Sequence, residues 1–111
     1  MSEYQFEREH YRIEYPTAAR PCFLVDGVQR EVIDVCERGL RYRLAEGERR
    51  ELNDDVEGIL RFRRGEEVRV LGSVVRLIDQ EVALRLSVGV PLRVVLEEQR
   101  YIRERHRGSA W

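Results

Sequence analysis

Two short patterns of polar residues are the candidates for chemistry in this chain. Arg8 and Arg12 stand four positions apart in an RxxxR pattern, and Asp34, Cys36 and Gly39 form a DxCxxG pattern. Arginine presents a planar fork of donors that suits phosphates and guanine edges. Taken singly, neither pattern identifies a site. All 20 Lys+Arg residues are arginine, so chance RxxxR pairs are expected, and Asp and Gly are common where strands reverse.

Nothing in the sequence indicates catalysis. A cysteine nucleophile needs a histidine base and an orienting group. Cys36 and His10 could meet in space, but no feature of the sequence requires it, and His106 lies in an arginine-rich tail. The carboxylates are scattered among arginines, which is typical of surface ion pairs. No phosphate-binding loop, dinucleotide fingerprint or HExxH occurs. We therefore expect a protein that is not an enzyme.

Composition limits the classes of partner. The chain has 111 residues, enough for one domain, and a formal net charge of -1. A general DNA or RNA binder would need excess positive charge, so neither is expected. Cys22 and Cys36 show no zinc-ligand spacing, and we expect reduced thiols and no metal. The apolar runs are too short for membrane insertion, and the segment after Met1 is charged, so we expect a cytoplasmic protein.

The chain divides into three parts. Residues 1–19 form a polar N-terminal arm that carries the RxxxR pattern and shows no sustained period. Pro16 and Pro21 argue against one long helix there. Regular structure is expected from about Cys22 onward. A barrel is expected over residues 20–90, and a helix with a short tail over residues 91–111.

Alternating apolar and polar residues predict six strands between residues 22 and 86. Asp26 and Gly27 are the two-residue signal for a type I′ hairpin, and Gly72 suggests a bulge or bend in the fifth strand. Residues 47–55 are expected to form a solvated loop. Strands of similar length without intervening helices favour a small barrel. The predicted strands are 22–25, 28–35, 40–44, 60–63, 68–74 and 82–86.

The pattern becomes helical after Pro91, which suits the first turn of a helix. Leu92, Val95, Leu96 and Ile102 fall near one face at helical spacing, and the charged residues lie mostly elsewhere. This apolar face predicts a helix that covers or plugs the barrel. The alternative is a surface for an oligomer or another partner.

The two patterns taken in order resemble the PilZ family. An RxxxR segment just before a six-stranded barrel, followed by [DN]xSxxG at the turn after the second strand, is the signature of that family. The resemblance covers nearly the whole chain, from the arm through the Asp26-Gly27 hairpin and the valine-rich strands to the closing helix. It implies an all-β fold with a C-terminal helix, namely a six-stranded antiparallel PilZ-like β-barrel.

The resemblance also implies a function. PilZ proteins are receptors for the second messenger cyclic di-GMP, whose level they relay to protein partners that control motility, pili or exopolysaccharide. By this match, Arg8 and Arg12 contact the phosphates and guanine edges, and the arm folds over the ligand. Asp34 accepts guanine N–H groups, and Gly39 allows close backbone approach and unusual dihedrals. Cyclic di-GMP is then the ligand, and no cofactor is implied.

One position departs from the family pattern. Cys36 stands where the family has serine, and a thiol is larger and a weaker hydrogen-bonding group than a hydroxyl. This departure supports an alternative of a different class, a degenerate PilZ-like interaction module that binds no nucleotide. The intact Arg8, Arg12, Asp34 and Gly39 favour the receptor.

Overall fold

The computed structural model describes residues 12–105, so Arg8, His10 and His106 lie outside the described residues. Within this range the chain forms seven β-strands, a 3-10 turn at Thr17–Ala19 and one α-helix. The helix, α1, spans Leu92–Arg105. The strands are β1 (Ile13–Glu14), β2 (Cys22–Val25), β3 (Val28–Cys36), β4 (Gly39–Arg43), β5 (Asp55–Arg61), β6 (Glu67–Ile78) and β7 (Glu81–Val88).

The six longer strands close into an antiparallel barrel. Their order around the barrel is β3, β2, β5, β6, β7 and β4, and β4 pairs with β3 again. Strand β1 adds two residues to the edge of β3, where Ile13 lies opposite Val35. The predicted fold, a six-stranded antiparallel barrel with a C-terminal helix, is confirmed.

The core fills the barrel interior because apolar residues alternate along the strands. In β7, Val82, Leu84 and Leu86 are buried. Ala83 and Arg85 lie between them and point to the other face, as the two-residue period of a strand requires. The outer face of the same strands therefore carries polar side chains, and the candidate site lies on this face.

Two glycine-dependent features of the fold were correctly predicted. Asp26 and Gly27 have φ values of 53° and 78°, so both central residues of the hairpin have the positive φ that a type I′ turn needs. The register of the β6–β7 pair shifts between Leu71 and Gly72. A Cβ at Gly72 would overlap the carbonyl oxygen of Arg85, so the strands approach closely at the bulge.

Regular structure begins earlier than predicted. It starts at Ile13 rather than near Cys22, because two side chains of the arm reach the core. Ile13 and Tyr15 are buried, and the backbone N–H of Tyr15 donates a 3.1 Å hydrogen bond to the carbonyl of Ile33. Residues 13–19 therefore pack against the barrel.

Strand β5 is longer than predicted. It begins at Asp55, within the expected loop, and not at Leu60. Its first half contains Gly58, which weakens the strand signal. A Cβ at Gly58 would contact the ring of Phe23 at 2.7 Å, so the missing side chain makes room for the core.

Helix α1 covers the barrel with a face that is only partly the predicted one. Val95 and Ile102 are buried as predicted. Leu92 and Leu96 are about 40% exposed, at 39% and 43%. Val94, Glu98 and Ile102, spaced at i, i+4 and i+8, face inward instead of the two leucines. The middle residue of this row is an acid, which the sequence pattern assigned to solvent. The buried residues of α1 are Val94, Val95, Glu98 and Ile102.

Candidate functional site

The DxCxxG pattern forms the β3–β4 hairpin. Cys36 pairs with Gly39 across a two-residue turn made of Glu37 and Arg38. The register of β3 against β4 shifts just before Asp34, and such bulges change the direction of a side chain. The pattern is thus both a strand reversal and a place where an acid lies on the outer face of the sheet.

Gly39 has an ordinary backbone conformation. The glycines with positive φ in the described part of the chain are Gly27, Gly47 and Gly65. The expectation of unusual dihedrals at Gly39 is therefore wrong, because this residue is already the first residue of an extended strand. Gly39 contributes to the cleft by having no side chain that would fill it.

Asp34 is the acidic centre of the site. Its side chain is 9% exposed, and Oδ2 accepts hydrogen bonds from Arg41 Nε at 3.1 Å and from Nη2 at 2.8 Å. The Nε atom of Arg12 lies 4.0 Å from the same oxygen, and its Nη2 donates to Glu14 at 2.6 Å. The structure therefore places Arg12 of the first pattern next to Asp34 of the second.

Arg41 links this acid to the neighbouring strand. Its Nη1 donates a 3.1 Å hydrogen bond to Glu81, so the guanidinium bridges two carboxylates. Burial alone would lower the pKa of Arg41, but the hydrogen bonds to Asp34 and the nearby carboxylates raise it above its ordinary value. Arg41 consequently remains a cation and holds the Asp34 carboxylate in place.

An open cleft of about 560 Å³ lies over this part of the outer surface. It borders four of the five predicted site residues, namely Arg12, Asp34, Cys36 and Gly39, whereas Arg8 lies outside the described residues. The cleft crosses β3, β4, β7 and β6, and Arg12 stands at one end. The other residues that line it are Leu40, Arg41, Val75, Arg76, Ala83, Leu84 and Arg85.

Three arginines of the cleft were missed in the sequence. Arg41, Arg76 and Arg85 come from three different strands. The alternation of β4 and β7 already places Arg41 and Arg85 on the outer face. The missing information was the strand order, because β4 pairs with β7 across about forty residues of sequence.

Cys36 is buried at the edge of the cleft, with 7% of its surface exposed. It is not bonded to Cys22, and both cysteines are free. A contact between Cys36 and His10 involves a residue outside the described range and is not placed. The position of Cys36 beside Gly39 agrees with a role in shaping the cleft.

Neither a metal-binding cluster nor a membrane-spanning helix occurs among residues 12–105. Among residues 12–105, no three Asp, Glu, His or Cys side chains come together in a group that could hold a metal ion. In the same range, no helix has the length and apolar character needed to cross a lipid bilayer. The cleft combines one acceptor carboxylate with four arginines, which is a composition suited to binding an anion that also carries N–H donors.

The turn of the DxCxxG pattern is attached to the segment that leads into α1. The carbonyl of Glu37 accepts a 2.9 Å hydrogen bond from the N–H of Val90, and the carbonyl of Arg38 accepts one of 2.9 Å from Leu86. A Cβ at Gly89 would overlap the Glu37 carbonyl oxygen. The segment that precedes the helix therefore lies directly against the turn at the cleft.

The N-terminal arm is attached to the same helix by a buried hydrogen bond. The hydroxyl of Tyr15 donates to Glu98 Oε1 at 2.6 Å, and Arg64 Nε donates to Glu98 Oε2 at 2.6 Å. Burial, and next the Glu98 carboxylate, raise the pKa of Tyr15 far above its ordinary value of 10.0. Tyr15 therefore stays protonated and donates. The DxCxxG turn thus contacts the segment just before α1, and the arm contacts α1 itself through Tyr15.

The closed six-stranded barrel with its C-terminal helix is a PilZ-like fold. Among solved structures, the chain is similar to the Bacillus subtilis inhibitor of motility (MotI/DgrA), with a TM-score of 0.62 and 13% sequence identity. The match covers 83% of this chain and 51% of that one, so this chain spans about half the length of that structure. At this identity the likeness concerns the fold alone. No family model and no curated protein sequence matches the chain.

Proposed function

We propose that this protein is a binding module for cyclic di-GMP that relays the level of this second messenger to a protein partner. The observation that carries the proposal is the convergence of Arg12, Asp34, Cys36 and Gly39 on one cleft. These residues come from two patterns that lie more than twenty positions apart in the sequence. A chance RxxxR and an ordinary turn would have no reason to share a binding surface.

The chemistry of the cleft supports recognition of guanine and phosphate. A carboxylate such as Asp34 can accept from the N1–H and N2–H groups of guanine, and arginine pairs with phosphate or with the O6/N7 edge. Arg41 fixes the orientation of Asp34 before a ligand arrives. Such preorganisation lowers the entropic cost of binding.

The N-terminal arm is proposed to supply the second part of the binding site, opposite the cleft on the barrel. Residues 13–19 already pack on the barrel, so the part proposed to close over the ligand is the segment before Ile13, which carries Arg8. Arg12 is next to this boundary and 4.0 Å from Asp34. Closing of this segment on binding stays a prediction, and it would create or hide a surface for a partner.

A role in relaying a signal, and not in catalysis, agrees with the comparison. The similar structure is described as an inhibitor of motility. We propose motility, pili or exopolysaccharide as the processes that the partner controls. The contact of the segment just before α1 with the turn at Glu37, and the contact of α1 with the arm at Tyr15, offer a route from the cleft to the helix.

Calorimetric titration with cyclic di-GMP tests the proposal. We expect a micromolar or tighter Kd, or about -8 kcal/mol or more favourable. Arg12→Ala and Asp34→Ala should each weaken binding by about 1–3 kcal/mol, the scale of one bidentate guanine contact. Arg100→Ala is the matched control, because Arg100 is exposed on α1 and does not line the cleft. No heat and no thermal shift at high ligand concentration would refute nucleotide binding.

A module that binds no nucleotide is the second candidate, and two observations favour it. Cys36 occupies the serine position, and Asp34 already has a partner in Arg41.

If the receptor proposal is right, Cys36→Ser should bind cyclic di-GMP at least as tightly as the native protein. The hydroxyl gives a stronger hydrogen bond in less volume, worth about 0.5–1.5 kcal/mol. A clear loss of affinity in calorimetry would show that the thiol itself packs against the ligand.

A further inference from the structure

Two arginines of the barrel differ from the other strand arginines in their ion pairing. Five strand arginines have a carboxylate within 4.0 Å, namely Arg30, Arg41, Arg43, Arg61 and Arg69. Within residues 12–105, no carboxylate lies this close to Arg76 or Arg85. Both of these arginines line the 560 Å³ cleft. The cleft therefore contains both of the strand arginines that have no carboxylate partner among the described residues.

The neighbours of this pair leave its guanidinium groups accessible. Arg85 lies opposite Gly39 on one side and Ser73 on the other, and Arg76 lies opposite Ala83. Small residues at these positions cannot cover a long arginine side chain. The outer face here thus forms a shallow floor of small residues between basic side chains.

Their positions on the sheet allow both arginines to reach one anion. Arg76 on β6 and Arg85 on β7 are diagonal neighbours across adjacent antiparallel strands, a relation that places Cα atoms about 7–8 Å apart. Two cations at this range repel each other, and the acid on the other diagonal of Arg76, Glu81, is already hydrogen-bonded to Arg41. A phosphate between them would remove the repulsion and accept charge-assisted hydrogen bonds from both.

Arg76 lies at the opposite end of the cleft from Asp34, and Arg85 lies between them on β7. Three strand spacings separate β3 from β6, by way of β4 and β7. At about 4.8 Å per spacing, the acid and Arg76 are roughly 14 Å apart along the sheet. The cleft therefore has a carboxylate for N–H donors at one end and unneutralised cations toward the other.

We propose that Arg76 and Arg85 form a phosphate-binding pair that fixes the orientation of a nucleotide whose base is held at Asp34. This inference rests on the proposed function and deepens it. The cleft selects ligands that carry both a donor edge and a phosphate at the far end. A ligand that lacks either group makes only half of the contacts.

Charge-removing variants test the pair. Arg76→Gln and Arg85→Gln should each weaken cyclic di-GMP binding about tenfold or more, as expected for losing a hydrogen bond to a charged group. The double variant should lose more. Arg69→Gln is the control, because Arg69 is on the same strand β6, pairs with Glu57 and does not line the cleft. It should change the Kd by less than about twofold. Melting curves check that all variants fold.

The outcomes separate this inference from the proposed function. If the native protein binds and Asp34→Ala binds weakly, but the double variant binds like the native protein, the phosphate pair is wrong and the receptor stands. If the native protein does not bind cyclic di-GMP, inorganic pyrophosphate is the second probe, followed by NMR of the arginine Nε–H groups. Selective shifts of Arg76 and Arg85 that vanish in the double variant support the pair, and their absence overturns it.

Discussion

Ending the chain before Pro91 is expected to unfold the barrel. The truncation removes α1, whose Val94, Val95 and Ile102 are at least 93% buried. Burying each such side chain contributes about 1.5–3 kcal/mol. The three together are comparable to the whole stability of a small domain, about 5–15 kcal/mol. The loss also uncovers Tyr15, which packs against the helix.

Circular dichroism melting measures this effect. The control is a chain that ends after Arg105, which keeps all of α1 and removes only the segment after it. We expect the control to melt cooperatively and the shorter chain to show no cooperative transition. A shorter chain that melts like the control but loses self-association would mean that α1 is a partner surface and not part of the core.

Replacing Glu98 is expected to destabilise the fold far more than replacing an exposed acid of the same helix. Glu98 is 1% exposed, and it accepts from both Tyr15 and Arg64. Breaking a buried charged pair costs about 3–5 kcal/mol, because the partner loses its compensation. Arg64 keeps Glu66 as a partner at 2.8 Å, so we expect about 3 kcal/mol for Glu98→Ala.

The neighbouring Glu97→Ala is the matched control for Glu98→Ala. Glu97 is an acid of the same helix with a 44% exposed side chain in surface ion pairs, so its loss should cost less than about 1 kcal/mol. Urea unfolding compares the two variants. Equal losses of unfolding free energy would contradict a special role of the buried acid.

The hydrogen bond from Tyr15 to Glu98 is expected to make the unfolding free energy depend on pH. The pKa of Tyr15 is raised above its ordinary value of 10.0 in the folded chain. A raised pKa contributes stability that is complete below the pKa of the unfolded state and is lost as the pH rises above it. The difference in unfolding free energy between the native protein and Tyr15→Phe should therefore shrink between pH 9 and pH 11, about one unit either side of that value. A constant difference would contradict the role of the hydroxyl proton.

The features that depend on neighbouring residues were predictable from the sequence. The period of two along β7 determines which of its residues face the core, and the Asp26-Gly27 pair determines its hairpin. The spacing of Asp34, Cys36 and Gly39 placed them correctly at a turn between strands. In each case the physical cause lies within a few residues of chain, and a single sequence contains it.

The features that depend on distant residues were not predictable. Glu98 sits in an apolar row of α1, and an acid there is normally a surface residue. Only Tyr15 and Arg64, 83 and 34 positions away in the sequence, make its burial favourable. The contribution of Arg76 and Arg85 to the cleft likewise depends on the closure of the barrel through β4 and β7.

Helix α1 is held in place just before its first turn and again near its middle. The first attachment is the close contact of Gly89, three residues before the helix, with Glu37 at the turn of the cleft. The Tyr15 hydroxyl acts on Glu98, six residues beyond Leu92, or about 9 Å along the axis at 1.5 Å per residue. Arg105 lies about 20 Å along the same axis. The helix therefore joins the turn of the cleft to the buried end of the arm, and only its last turn, beyond the buried Ile102, extends past both attachments.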